Sequence, residues 1–475
     1  MLTLQSLFGK KDAPQETPVS RVPAKYRNID LFEQHRLASK LAQSQTADEY
    51  YFIDVVGTCN LKCPSCAVGN MPALFSKGLM SPDTLKDVLA KIARETEGKE
   101  RVFIDLYNWG EPLLHPEIGD IIRIVKEAGF GCGISSNLVA GKNLAAAVKA
   151  EPDYIRISLS GYHNETYQET HAGGDINLVK AHMHMLRHYL DLFRNRHTVV
   201  QVGFHVYRSN FPNDFHLMMK LADELGFLFS PTLATIMPVE KAVAALENEG
   251  LTEQDKALLD KLVVSPERWR TLNLESDISL PDCQYRSQRS TINYDGSVAL
   301  CCATYGTDKI VSDNFLTTDN ADLIEARQTH DYCGTCMNNR LHYVYTGAYP
   351  ASIAEEAVSV LGNEYAEYLT ATAQIGDRDL LLFEGRFYTI QELYDLGMEC
   401  AGKTDQDAIE RAEQYMDALV ADAPQFGEGL FQAAAVKKRL GRDDEAAHLS
   451  QLAADMVPDN AAYQQQAADC KISQE

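Results

Sequence analysis

Cys59-Asn60-Leu61-Lys62-Cys63-Pro64-Ser65-Cys66 sets three cysteines at spacing C-x3-C-x2-C, directly after the apolar run Tyr51-Phe52-Ile53-Asp54-Val55-Val56. A cubane iron–sulfur cluster takes one thiolate per iron, so three ligands leave one iron open to another molecule. A zinc site of this kind asks for a fourth Cys or His close by, and none follows at ligand spacing. The bland alternative is a set of buried, inert thiols.

Around this stretch, strands and helices alternate. Apolar or alternating runs at 51–56, 102–107, 130–135, 154–159, 199–207 and 227–233 read as strands. Between them, Leu85, Val88, Leu89 and Ile92 repeat at helical spacing after the N-cap signal Ser81-Pro82-Asp83. Ile118, Ile121, Ile122 and Val125 do the same, with Gly129 as the stop. Further helices are expected at 143–150, 178–193 and 214–225. Six strands alternating with helices predict an α/β fold with a parallel sheet and right-handed crossovers. Chemistry in such folds sits at the carboxyl ends of the strands. The polar clusters fall there in turn: the cysteines, then Asn108-Trp109-Gly110-Glu111-Pro112, Ser135-Ser136-Asn137 and Ser158-Leu159-Ser160-Gly161. His205, Arg208 and Asn210 end strand five.

At 475 residues the chain suggests about three domains. With 45% apolar and 23% charged residues it reads as globular. A net charge of −23 argues against a nucleic-acid or anionic-membrane surface. The first residues lack a basic stretch before an apolar core, as a secretory signal would have, and no apolar run is long enough to span a membrane. A reducing cytoplasm is therefore expected, where the 11 cysteines read as metal ligands more than as disulfides.

The Cys-Asn-Leu-Lys-Cys-Pro-x-Cys loop resembles the radical S-adenosylmethionine (SAM) superfamily, in which SAM chelates the open iron of a [4Fe–4S] cluster through its methionine end. The resemblance covers about residues 48–240 and implies a partial (β/α)6 barrel, with Cys59, Cys63 and Cys66 as cluster ligands. Trp109-Gly110-Glu111-Pro112 resembles the superfamily's Gly-Gly-Glu-Pro motif. Gly110 and Glu111 are then expected at the SAM amino group, a carboxylate-to-ammonium hydrogen bond. Ser135 and Asn137 resemble the ribose and carboxylate contacts, and Ser158 and Ser160 sit where further SAM or substrate contacts occur. Two positions depart from the pattern. Trp109 replaces the first Gly, and Ser65 stands where many members carry an aromatic against the adenine.

Residues 239–280 are helical and charged, and a second cysteine set follows. Thr291 to Leu300 reads as a hairpin with an Asp295-Gly296 turn, which returns Cys301 toward Cys283. Cys333-Gly334-Thr335-Cys336 is a C-x2-C knuckle. Four thiolates so arranged suit a zinc ion or a fully ligated [4Fe–4S] cluster. The layout resembles the twitch version of the SPASM auxiliary-cluster domain, which implies a second [4Fe–4S] cluster on Cys283, Cys301, Cys333 and Cys336. His342 and Thr346 stand where the full version has more cysteines. Cys302 is a spare thiol or a substitute for Cys301, and Cys132, Cys400 and Cys470 read as ordinary thiols. His182, His184 and His188 read as incidental residues of an amphipathic helix, and His163 and His171 as part of a solvated loop.

The division expected is a polar extension over 1–47, packed loosely and including a helix at 31–41; the barrel over 48–240; a helical connector over 241–275; and the auxiliary-cluster domain over 276–345. A mixed region over 346–404 and a helical repeat over 405–475 follow. Pro424 and Pro458 stand 34 residues apart, with small Ala434, Gly441, Ala446 and Ala454 between them, and resemble one tetratricopeptide (TPR) unit. Such units often hold a partner protein; a plain helical cap is the alternative. The resemblance implies reductive cleavage of SAM to a 5′-deoxyadenosyl radical that takes hydrogen from a C–H bond. The expected substrate is a small molecule, sugar- or polyol-like, undergoing dehydrogenation or epimerisation. The electron donor would be a flavodoxin or ferredoxin, and the auxiliary cluster a relay. The alternatives are a peptide-modifying enzyme and a non-catalytic iron–sulfur or zinc scaffold.

Overall fold

Alternating buried apolar residues set one face of the sheet: Tyr51 and Ile53 of β1 (Glu49–Ile53), Ile104 of β2 (Val102–Asp105), Cys132 and Ile134 of β3 (Gly131–Ser136), Ile155, Ile157 and Leu159 of β4 (Tyr154–Leu159), Val200, Val202, Phe204 and Val206 of β5 (Val199–Val206), and Phe229 and Leu233 of β6 (Leu228–Leu233). The computed structural model describes residues 29–71, 77–276, 282–346, 350–372, 380–384, 386–423, 426–457 and 460–472. In it these six strands run parallel in the order β6-β5-β4-β3-β2-β1. The strands end one to three residues short of several expected limits, because the last residues turn into the polar loops.

The apolar face carries Ile104, Ile134, Ile157, Val202 and Phe204, all fully buried. Helices cover it: Pro82–Glu95 through Leu85, Val88, Leu89 and Ile92, and Ile118–Glu127 through Ile118, Ile121, Ile122 and Val125. Each such side chain contributes roughly 1.5–3 kcal/mol on burial. The Ser81 hydroxyl accepts the Thr84 N–H at 3.1 Å and Pro82 starts the helix, as the sequence predicts.

The opposite face is polar and aromatic. Strand register aligns Ser135 with Arg156 and Gln201, and Ser158 with Gly203. At its lower end Tyr50, Phe103 and Tyr154 stack with centroids 5.3 and 5.9 Å apart. Glycines make the room: a Cβ on Gly131 would lie 2.3 Å from the Phe103 ring, and one on Gly133 2.2 Å from Tyr154.

β1 and β6 do not pair with each other, but the loops beyond them meet. Met237 N–H donates to the Ser65 carbonyl (3.2 Å), and the Asn70 amide donates to the carbonyls of Pro64 and Met237, both at 2.9 Å. The outer edge of β6 is also closed. Gln34, in the helix Leu31–Gln45, donates to Phe227 O and accepts from Phe229 N, each at 2.9 Å. With Leu37, Ala38 and Leu41 buried, this helix corrects the expectation of a loosely packed leader: an amide that completes a strand edge must be held firmly.

On its other side β1 pairs in parallel with β7 (Arg289–Ile292), Tyr50 facing Arg289 and Ile53 facing Ile292. β7 forms the expected hairpin with β8 (Val298–Ala299) through a turn with Gly296 at φ +86°, and β9 (Ile310–Ser312) adds a third strand. One nine-stranded sheet therefore carries both the loop after β1 and the second cysteine region.

The chain divides into two compact units. The first holds Ile29–Tyr349 with Ser359–Leu361, and the second includes Pro350–Val358 and Gly362–Glu475. In the second, β10 (Leu380–Phe383) and β11 (Arg386–Thr389) form an antiparallel hairpin. The helices Gln406–Asp422, Gly427–Arg439, Asp443–Met456 and Ala461–Ile472 then pack each on the next. Ala434, Ala446 and Ala454 lie buried between them. Gly441 instead takes φ +70° in a turn, where a left-handed residue ends the preceding helix. Pro424 and Pro458 lie outside the described residues.

Lys437 is 2% exposed and binds Glu413, Asp417 and Glu445 at 2.8, 2.8 and 3.0 Å. Removing one member of a buried ion group leaves uncompensated charge. Lys437→Met is expected to destabilise this unit by about 3 kcal/mol, read as an earlier thermal transition by circular dichroism. An unchanged transition would mean that water already serves the three carboxylates.

Candidate active site

The cysteine loop follows β1 because Asp54 stops the strand and gathers backbone donors. Its carboxylate accepts the N–H groups of Trp109 (3.0 Å) and Gly110 (3.2 Å), and Glu111 N–H donates to Thr58 O at 2.9 Å. The loop after β2 is thereby pinned to the cysteine loop. Burial pushes the Asp54 carboxyl up to about 6, against those hydrogen bonds. Asp54 was not among the expected site residues, although an acid inside an otherwise apolar run was the signal.

Cys59, Cys63 and Cys66 are half-buried. Cys66 N–H donates to Cys63 O at 3.1 Å, Leu61 N–H points at Cys59 Sγ at 3.4 Å, and backbone N–H groups of Val68 and Gly69 face the Cys66 sulfur. Lys62 N–H reaches Ala172 O at 2.9 Å, tying the loop to the turn after β4. Burial pushes all three thiols up, Cys59 to about 12, so thiolates here require a cationic centre to bind. Three soft sulfurs on one short loop, with backbone N–H groups behind them, are a donor set that could hold a thiophilic cluster but are not gathered around a single ion.

Glu111 is buried and accepts N–H groups from Leu113 (3.0 Å) and Asn137 (2.8 Å), which brackets β2 against β3; burial pushes its carboxyl up to about 7. The Asn137 amide donates to Asn60 Oδ1 at 3.0 Å and lies 3.5 Å from Cys59 Sγ. The structure therefore brings Gly110, Glu111 and Asn137 to the cysteine loop, together with Asn60, which sequence reasoning missed. Ser135 and Ser158 point from the strands into the polar face. Ser160 is fully buried, with its hydroxyl bonded to Thr170 and to His171 Nδ1 (2.9 Å). His171 corrects the solvated-loop expectation: it is buried, stacked on Tyr167 with centroids 4.7 Å apart, and burial pushes it down to about 4. His163 bonds Asp214 at 2.7 Å and His182 the Leu138 carbonyl at 2.8 Å.

Residues 53–206 match the family model described as the radical SAM superfamily. This segment of the chain is a radical SAM domain. Among relatives of this radical SAM chain, GTP 3′,8-cyclase of Limosilactobacillus fermentum is 30% identical over 141 residues, 29% of this chain and 41% of that protein. The tungsten-containing aldehyde ferredoxin oxidoreductase cofactor-modifying protein of Pyrococcus furiosus is 32% identical over 89 residues, 19% of this chain and 24% of that one. The chain thus spans less than half the length of these relatives. The crystal structure of Streptococcus suis SuiB bound to precursor peptide SuiA aligns over 63% of this chain and 69% of that chain, at 14% identity and a TM-score of 0.41.

The second cysteine set of this radical SAM chain lines one cavity of about 460 Å³, with Cys283, Cys301, Cys333 and Cys336 beside His342, Tyr332 and Tyr345. His342 is 2% exposed, and both its ring nitrogens lack a hydrogen-bond partner. A lining of four thiols and a histidine with two unpartnered nitrogens could hold a multi-atom cluster, though these donors do not close around a single ion. Cys302 does not line it, and burial pushes its thiol up to about 12. Trp109 spans the two cysteine regions, with its indole N–H on Thr304 O (3.2 Å) and its ring edge-on to Tyr305. Among the described residues, no three His, Cys, Asp or Glu side chains sit close enough to hold a single metal ion, and no helix is long and apolar enough to cross a membrane.

In the polar face, Asp105 accepts from Tyr50 Oη at 2.7 Å and from Tyr154 Oη. Burial pushes its carboxyl up to about 6, against these bonds. A carboxyl that holds its proton more tightly folded than unfolded makes the folded state lose stability as pH rises from about 4 to about 6. Asp105→Asn is expected to flatten that part of the profile, measured as urea midpoint against pH. An unaltered slope would assign it to another group.

Proposed function

We propose that the chain is a radical SAM enzyme that abstracts hydrogen from a C–H bond of a small, sugar- or polyol-like molecule, leading to dehydrogenation or epimerisation. The observation that carries it is the joining of Cys59, Asn137 and Glu111 at the mouth of the polar face, with Asn137 on both Cys59 and Glu111. Cys59, Cys63 and Cys66 would hold a [4Fe–4S] cluster. When SAM is bound there, its reductive cleavage supplies a 5′-deoxyadenosyl radical.

The chain's own residues do the positioning. Gly110 lets the backbone come close, Glu111 offers a carboxylate to an ammonium, and Asn137, Ser135 and Ser158 offer hydrogen bonds to a ribose or carboxylate. The cysteine loop is clipped by backbone hydrogen bonds to Ala172 and Met237, which fixes it above the polar face. Cys283, Cys301, Cys333 and Cys336 would hold the auxiliary cluster of a twitch- or SPASM-type domain, acting as an electron relay. The donor would be a cytoplasmic flavodoxin or ferredoxin. A peptide substrate is the second reading, favoured by the stacked helices over 406–472, which suit a TPR-like partner surface.

The test is anaerobic reconstitution with iron and sulfide, then dithionite and SAM. The reading expects 5′-deoxyadenosine and about eight irons per chain for two clusters. A loaded protein that makes no 5′-deoxyadenosine would be a scaffold, and about four irons plus zinc would assign the second site to zinc.

A further inference from the structure

We infer that Arg156 forms an anion-binding subsite inside the barrel that takes a carboxylate or phosphate group of the substrate. The inference rests on reading the polar face as the reaction chamber. Arg156 lies on β4 in register with Ser135 and Gln201, so its side chain belongs to that face and not to the helix-covered one. It lies over Gly203, where a Cβ would stand 2.4 Å from its Nε. The sheet thus gives up a side chain to seat the guanidinium.

The seat has no counter-charge. Nε is buried without a hydrogen-bond partner, and among the described residues no carboxylate pairs with Arg156. Asp105 is engaged by the hydroxyls of Tyr50 and Tyr154. The other neighbours are neutral. Tyr107 holds its proton, and its hydroxyl is 3.1 Å from that of Tyr154. His205 is pushed down to about 3, by burial first and then by the Arg156 charge, and it faces His171, which is also kept neutral by burial. A guanidinium whose Nε is buried without a partner, among neutral neighbours, is costly unless a ligand brings the negative charge. Guanidinium is suited to a two-pronged bond with carboxylate or phosphate.

The other anion available is the carboxylate of SAM itself. Position argues for the substrate. Asn137, at the cysteine loop, lies two residues beyond Ser135, so Arg156 sits about 7 Å deeper along the strands.

The test uses the reconstituted full chain. Binding of inorganic pyrophosphate and of succinate is measured by calorimetry, and binding of SAM by equilibrium dialysis. Wild type is expected to bind at least one of the two anions, which tells phosphate from carboxylate preference. Arg156→Met is expected to weaken that binding about tenfold or more, with Arg156→Lys between the two. If the Met variant does not fold, the Lys variant decides by its own loss. No anion binding by wild type, or equal binding by the variants, overturns the subsite. A loss of SAM affinity as large as the loss of anion affinity also overturns it, because Arg156 would then serve SAM. Anion binding without any 5′-deoxyadenosine in wild type sinks the proposed reaction and leaves the subsite standing; the reverse pair sinks the subsite alone.

Discussion

Cys63→Ala is expected to abolish 5′-deoxyadenosine formation and to remove about four of about eight irons per chain. Two sulfurs cannot hold three corners of a cubane, and no other thiol stands in for Cys63. Its carbonyl accepts Cys66 N–H at 3.1 Å, and a Cβ on Gly69 would lie 2.0 Å from that same oxygen, so the loop has no slack to recruit a neighbour. Cys336→Ala should also remove about four irons, but from the second cavity, which iron counting alone would not distinguish. Electron paramagnetic resonance in the presence of SAM separates them: only the cluster with an open iron changes its signal. Iron content left intact in Cys63→Ala would remove the three-cysteine loop from the metal chemistry.

Gly110→Ala should be nearly as severe for a purely steric reason. A Cβ there would lie 1.6 Å from the Val56 carbonyl oxygen and 2.9 Å from the Asp54 carboxylate. Backbone atoms cannot rotate away as a flexible side chain can, so the loop after β2 must shift. That shift breaks the N–H bonds of Trp109 and Gly110 to Asp54 and displaces Glu111 from Thr58 and Asn137. A misplacement of about 1 Å in a positioned site costs about a hundredfold in rate, and overpacking costs about 1–3 kcal/mol in stability. Thermal unfolding and the rate of SAM cleavage would report both. A variant with normal rate and normal unfolding would mean that Gly110 is there by chance.

Much of this arrangement was readable beforehand, for a physical reason. The six parallel strands alternate apolar and polar residues, the helices repeat theirs at three and four, and Ser81-Pro82 is a local cap. Each signal lies within a few residues of what it specifies. The cysteine spacing and Gly110-Glu111 are similarly compact. What escaped was non-local. Nothing in Asp54 says that its partners are the backbone of residues 109 and 110, and nothing in Gln34 says that it closes β6. Arg156 looks like one more polar residue in Tyr154-Ile155-Arg156-Ile157-Ser158, because alternation marks a second face without telling whether that face meets water or a chamber. The pairing of β7 with β1 could not be read from the hairpin, which satisfies its own turn rules with either edge free.

That last pairing bears on how such proteins diversify. Because Tyr50 to Ile53 hydrogen-bond directly to Arg289 to Ile292, the module bearing the second thiols is not a bead on a string. An exchange between family members would have to graft a strand of matching phase onto β1, since a slip by one residue turns every inward side chain outward. The placement of the second cysteine region is therefore governed by sheet register.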